Sequence, residues 1–153
     1  MENEEKLSIE EVIKEYKEDV YRMLKYIPWL ESKVGQNVSD TYQGDGLSKS
    51  IKFPVYDSTL LSFVKEVKET KLIKKNYVYA YSKYRMSSYE DELKNIKRAK
   101  VTQMNLLCDI LSKYVLKGMT KANVWTEGVE KGIFLEVLLR LRELIEFYEG
   151  PLN

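Results

Sequence analysis

The sequence predicts an all-α fold, a compact single-domain bundle of five to seven helices. Three observations carry the prediction. Apolar residues recur at spacings of three and four along most of the 153-residue chain. The three prolines and seven glycines are few enough to leave long stretches between them for helices. Leu, Ile, Glu and Lys, which favour or tolerate helix, recur throughout. A composition that is 44% hydrophobic and 32% charged belongs to a folded globular chain. A chain of this size fits one domain, residues 1–153, that buries about 70% of the surface its unfolded form exposes.

The elements follow in order. Ser8-Ile9-Glu10-Glu11 has the form of a capping box, so the first helix is predicted to start there. Ile9, Val12, Ile13, Tyr16, Val20, Met23, Leu24 and Ile27 then mark its apolar face. Pro28 disfavours helical geometry at Ile27 and can start a new turn, which predicts a bend and a short helix over Trp29 to Val34, closed by Gly35. Residues 35–56 are the least helical part and read as a long loop. Within it Ile51, Phe53 and Val55 alternate with polar residues and Pro54, the pattern of a short extended segment near residues 50–56.

Asp57 or Ser58 can cap the next helix, which carries Leu60, Leu61, Phe63, Val64 and Val67. Ser87 or Ser88, with Glu90 or Asp91 three residues on, starts another that contains Leu93 and Ile96. Met104, Leu107, Cys108, Leu111 and Val115 mark a further face that ends near Gly118. Thr120 or Asn123 can open the next segment. Gly128 and Gly132 predict a close helix approach or a helix break. The last helix, roughly Ile133 to Tyr148, is apolar nearly all round at its start and is therefore expected at the centre.

Charge and composition narrow the compartment and the chemistry. The acidic N-terminus MENEEKLSIEE has no apolar stretch of a secretory signal, and the most apolar run is broken by Glu136, Arg140 and Arg142. A cytoplasmic protein with no membrane partner is expected. The lone Cys108 cannot form an internal disulfide, which agrees with a reducing compartment. Net charge is +1 but unevenly spread: −4 over residues 1–64, +8 over 65–121 and −3 over 122–153. The basic middle can face the acidic ends within the fold or across a dimer, or attract an acidic partner.

Two stretches, FPVYDSTLLSFVKEV at residues 53–67 and WTEGVEKGIFLEVLLRLREL at residues 125–144, resemble a family of small bacterial proteins catalogued as a domain of unknown function. With the Leu106-Leu107 helix, the resemblance covers about residues 27–149. It implies a helical fold and a bacterial or phage origin, and it carries no activity. The chain departs from the family where an Arg-Phe pair closely followed by Gly is common; Ser112-Lys113-Tyr114-Val115 stands there instead.

With no histidine, Ser-His-Asp triads, Cys-His pairs and histidine-containing zinc sites are excluded. Cys108 shares a helical face with Met104, Leu111 and Val115 and reads as a core thiol. Gly44-Asp45-Gly46-Leu47-Ser48-Lys49-Ser50 fails as a phosphate loop because Ser48 stands where glycine precedes Lys-Ser. No cofactor and no metal are expected. Arg140, set among leucines, needs a carboxylate partner such as Glu136 or an acid from another helix.

The segment KKNYVYAYSKYR is the most distinctive. Tyr77, Tyr79, Tyr81 and Tyr84 lie between Lys74-Lys75 and Lys83 with Arg85. If helical, Tyr77, Tyr81 and Tyr84 share a side; if extended, Tyr77, Tyr79 and Tyr81 do. The leading reading is an amphipathic seam with a charged rim, and the others are a protein-binding face and a base-stacking platform. The expected function is a non-catalytic interaction or regulatory module that binds a protein partner or a second copy of itself. A nucleic-acid binder using the basic, Tyr-rich middle third is the alternative. An enzyme using carboxylates and Arg140 comes third.

Overall fold

The computed structural model describes residues 2–36, 39–42 and 53–150. Its architecture is an all-α bundle. The helices are α1 (Glu2–Met23), α2 (Ile27–Lys33), α3 (Ser58–Lys68), α4 (Val78–Lys83), α5 (Tyr89–Arg98), α6 (Met104–Lys117), α7 (Val124–Glu130) and α8 (Ile133–Glu149). Seven of them have seven residues or more among the described residues, and α4 is little more than one turn. Short 3-10 turns at Leu24–Tyr26 and Val101–Gln103 lead into α2 and α6.

Helix α1 begins at Glu2, so it does not start at Ser8 as predicted. The preceding Glu-rich turn explains the correction: glutamates favour helix and their charge suits the positive end of its dipole. The bend ahead of Pro28 is the 3-10 turn, and the proline occupies the first turn of α2. Asp57 caps α3 by accepting from the Thr59 amide at 2.7 Å. Ser88 caps α5 by accepting from the Asp91 amide at 3.1 Å. The Asp91 carboxylate accepts from Ser87 N in return, at 3.0 Å.

The expected long loop contains an antiparallel ribbon, β1 (Ser39–Tyr42) with β2 (Phe53–Tyr56), in the register Ser39 opposite Tyr56 and Tyr42 opposite Phe53. Residues 37–38 and 43–52, with Ile51 and the stretch compared to a phosphate loop, lie outside the described residues. Pro54 is accommodated because a two-stranded ribbon has two free edges. At the end of β2, Tyr56 packs on Trp125 with ring centroids 5.1 Å apart, and its hydroxyl accepts from the Asn123 amide.

Helix α8 is central, as its all-round apolar start requires, and touches α1, α2, α5, α6 and α7. Phe134, Val137, Leu138, Leu141 and Ile145 are fully buried on it. They join one apolar cluster with Tyr16 and Met23 of α1, Phe63 of α3, and Leu107, Leu111 and Tyr114 of α6. Both predicted glycine roles occur. Gly132 has φ of +77° between α7 and α8, a conformation glycine adopts without steric penalty. A Cβ on Gly128 would lie 2.5 Å from the Phe134 ring, so the close approach of α7 to α8 requires its absence.

Candidate functional site

The tyrosine segment is helical, and α4 divides its side chains by direction. Tyr77 and Tyr81 share a side, with ring centroids 6.4 Å apart in an edge-to-face arrangement. Ala80 is buried and Tyr84 half-buried. Val78 and Tyr79 face outward with relative exposures of 61% and 76%. A seam and an exposed rim therefore coexist on one short helix.

The seam closes on Glu92 of α5, which is 1% exposed. Tyr81 Oη donates to its carboxylate, Tyr114 Oη donates at 2.6 Å, and Lys113 Nζ donates at 3.1 Å. Burial first, and then the acceptor beside each hydroxyl, pushes the Tyr81 and Tyr114 phenols far above their ordinary range, so both stay protonated donors. Lys113 also lies over both rings, 4.5 Å from the Tyr81 centroid and 5.2 Å from that of Tyr114. A buried carboxylate is tolerable because it is paired and hydrogen-bonded. Glu92 thus joins α4, α5 and α6 at one point. Ser112, also buried, fixes the approach to α4: its hydroxyl accepts from the Lys74 amide at 2.6 Å and donates to the Cys108 carbonyl at 2.6 Å.

The rim opens onto a groove of ≈ 300 Å³ between α4 and the start of α6, lined by Asn76, Tyr79, Tyr84, Gln103, Asn105 and Asp109. Two of its amides are half engaged. The Asn105 carbonyl oxygen accepts from Tyr16 Oη, and that of Gln103 accepts from the Lys100 amide at 2.9 Å. Their NH₂ groups have no partner among the described residues. Burial raises the Asp109 pKa, opposed by the Lys74 charge.

The four predicted cations do not gather into one strip. Lys83 lines the groove and lies over the Tyr84 ring, 5.5 Å from its centroid. Lys74 lies over Tyr16 at 4.9 Å. Lys75 and Arg85 are exposed, Arg85 with φ of +52° at the end of α4. Only Tyr79 of the four tyrosines presents an open ring, so successive bases would find a single platform here.

Arg140 differs from expectation. Its Nε and Nη2 donate to the Ala99 carbonyl at 3.0 and 2.6 Å, and Nη1 pairs with Glu143 rather than with Glu136. The cause is that Ala99 ends α5, where carbonyls lack helical partners and attract a cation. The guanidinium edges a recess of ≈ 400 Å³ whose walls include Val101, Leu144, Phe147 and Tyr148.

No family model, curated protein or solved structure matches this chain. The geometry alone carries the functional reading. Among the described residues no group of three or more His, Cys, Asp or Glu side chains could hold a metal ion. No helix among them is long and apolar enough to cross a membrane. Cys108 is fully buried, and burial pushes its thiol well above the ordinary range, away from nucleophilic duty.

The sequence reading missed Glu92, Lys113, Tyr114 and Ser112. A signal for the first existed: Glu92 sits four residues before Ile96 and seven before Ala99, an acid in line with a buried helical face. The other three are consecutive residues of α6 that the apolar spacing of that helix does not single out.

Proposed function

We propose that this chain is a small bacterial, cytoplasmic, non-catalytic interaction module that docks a protein partner on the outer face of α4. The observation that carries the reading is the pair Val78 and Tyr79, both exposed beside a groove that offers unpaired amide donors. Aromatic anchors combine large apolar area with a polar handle and recur at binding hot spots. Asn and Gln side chains have the hydrogen-bonding groups of a peptide unit, so such a groove suits the backbone of an extended segment. The Glu92 cage supports the reading from behind, since a surface already held by its own fold loses little freedom on binding.

An inhibitor carried by a phage or mobile element is one form such a module could take. Engagement of Arg140 with Ala99 and Glu143 favours a structural duty for that residue over the enzymatic alternative.

The test is affinity capture from nuclease-treated bacterial lysate, with wild type beside a Val78→Ser/Tyr79→Ala variant. A partner retained in fixed proportion by wild type and lost from the variant, at unchanged melting temperature, is the expected result. Equal retention by both proteins contradicts it. Retention that disappears on nuclease treatment would transfer the reading to nucleic acid, and a concentration-dependent mass doubled by a second copy would identify a homodimer.

A further inference from the structure

A second cleft, independent of the α4 face, lies on the far side of Glu92. It encloses ≈ 430 Å³ where the start of α5, the second half of α6, the α6–α7 turn and α7 converge. That volume is within the range of about 300–1,000 Å³ usual for small-molecule sites. It far exceeds the space needed by one water, whose share of the liquid is about 30 Å³.

The charges of this cleft are unequally satisfied. Two acids line it and both are occupied: Glu92 accepts from three donors, and Glu127 accepts from Tyr89 Oη at 2.9 Å. Three lysines line it: Lys113 and Lys117, four residues apart on one side of α6, and Lys121 in the turn that follows, whose amide donates to the Lys117 carbonyl at 2.9 Å. Lys113 holds Glu92. Lys117 and Lys121 have no acidic partner within 4.0 Å among the described residues. The Ser88 hydroxyl already caps α5, so its N-terminal amides add little. The ammonium groups are what the cleft offers.

We infer that this cleft binds a small phosphomonoester, with Lys117 and Lys121 holding the phosphate and Val124 and Tyr89 bordering the remainder of the molecule. The class follows from charge and volume together. Two unpartnered ammonium groups match a dianion, and the space exceeds that of the phosphate alone. Of the two acids Glu92 is offset by Lys113, while Glu127, bonded only to the neutral Tyr89 hydroxyl, keeps its charge, so the three lysines and two glutamates leave the lining at a net +1. Lys113 is a positioning residue here. It keeps Glu92 fixed at the floor and ties the cleft to α4 through Tyr81.

Isotope-edited NMR titration of the full chain at low salt tests the assignment, with glucose 6-phosphate, adenosine 5′-monophosphate and inorganic phosphate as probes. The expected result is saturable shifts at residues 113–127 with at least one phosphomonoester, at a Kd of about 1 mM or tighter, and weaker binding of inorganic phosphate. The variant Lys117→Ser/Lys121→Ser should fold with the wild-type spectrum elsewhere and bind at least about tenfold more weakly. Lys97→Ser/Lys100→Ser, which removes two cations outside this cleft, should bind as wild type does. The proposal is overturned if neither phosphomonoester binds, if inorganic phosphate binds as tightly as either ester, or if both double variants weaken binding equally.

Discussion

Glu92 is where a single side chain decides the most. Its two oxygens face Tyr81, Tyr114 and Lys113, so truncation removes the acceptor for three buried or half-buried donors at once. Removing one member of a buried pair costs about 3–5 kcal/mol. Glu92→Ala should destabilise by about 3 kcal/mol or more on that basis, read by urea unfolding. Tyr81→Phe removes one donor to a charged group and should cost about 1.5–3 kcal/mol. A cost below about 0.5 kcal/mol for Glu92→Ala would mean that the cage does not hold α4.

Glu66 makes a different, more accessible network. Its Oε2 accepts from Arg22 Nε at 2.7 Å and from Lys25 Nζ at 2.9 Å, and its Oε1 accepts from Tyr26 Oη at 2.8 Å, joining α1 and its 3-10 turn to α3. Burial raises the Glu66 pKa, but the hydrogen bonds from Lys25, Arg22 and Tyr26 outweigh it and hold the carboxyl at about 2 instead of 4.5. Tyr26 is correspondingly pushed up to about 12 by burial and by Glu66. A lowered carboxyl pKa stabilises the fold above the unfolded value, and that contribution fades as pH falls through the folded one. The stability difference between wild type and Glu66→Gln should therefore be constant near neutral pH, at about 1 kcal/mol for a solvent-screened network. It should shrink between pH 4.5 and about 2. A difference that grows on acidification would contradict the network.

At the scale of elements, most boundaries were legible because local chemistry marks them. Asp57 and Ser88 cap where a short oxygen-bearing side chain precedes an apolar period, and Pro28 bends the chain as its ring dictates. The start of α1 was not legible, since the Glu-rich turn ahead of Ser8 is helix-favouring yet has no apolar period to reveal it. The ribbon was half legible. Alternation around Pro54 indicated β2, while β1 is Ser-Asp-Thr-Tyr, a polar strand that becomes visible only through its partner. The direction of each tyrosine was hidden for a related reason. A six-residue helix is too short to show a period, and its orientation is set by Glu92 and Ser112 from elements 11 to 38 residues away.

The α7–α8 junction provides the element-scale prediction. Gly132 alone takes the left-handed turn between them, with Val34 nearest to its missing side chain at 3.9 Å. Space is adequate there and conformation is the constraint. Gly132→Ala should cost about 1–2 kcal/mol through backbone strain. Gly132→Asn should cost less, because asparagine tolerates that region. Equal losses in the two variants would mean that packing, not φ, governs the position.

For the molecule as a whole, α8 carries the core and α4 the exposed Val78 and Tyr79, and the two should differ in how readily they open. Amides of α8 and α6 lie among fully buried side chains, so their exchange should follow global unfolding. Those of α4, a single short helix against the body, should exchange through smaller openings, and Glu92→Ala should accelerate α4 selectively. The charge pattern gains a concrete form at this scale. It differs from the predicted one: Lys25 and Arg22 of the N-terminal third meet Glu66 and Glu69 of the middle third, and Lys17 meets Glu149 at the end of α8. Among the described residues no ion pair joins a cation of residues 65–121 to an acid of either end. The one cation of the middle third that is ion-paired among the described residues, Lys113, meets an acid of the same third, Glu92, and Lys117 and Lys121 remain over the second cleft.

The central claim is that α4 turns Tyr81 inward to a buried acid and leaves Tyr79 outward for a partner. Nitration of the native protein, followed by peptide mass spectrometry over time, measures it directly. Tyr79 should be modified first, while Tyr81, Tyr114 and Tyr16 react only after unfolding in urea. Modification of Tyr81 in the native state as fast as Tyr79 would contradict the division of the helix and, with it, the contact face proposed for this protein.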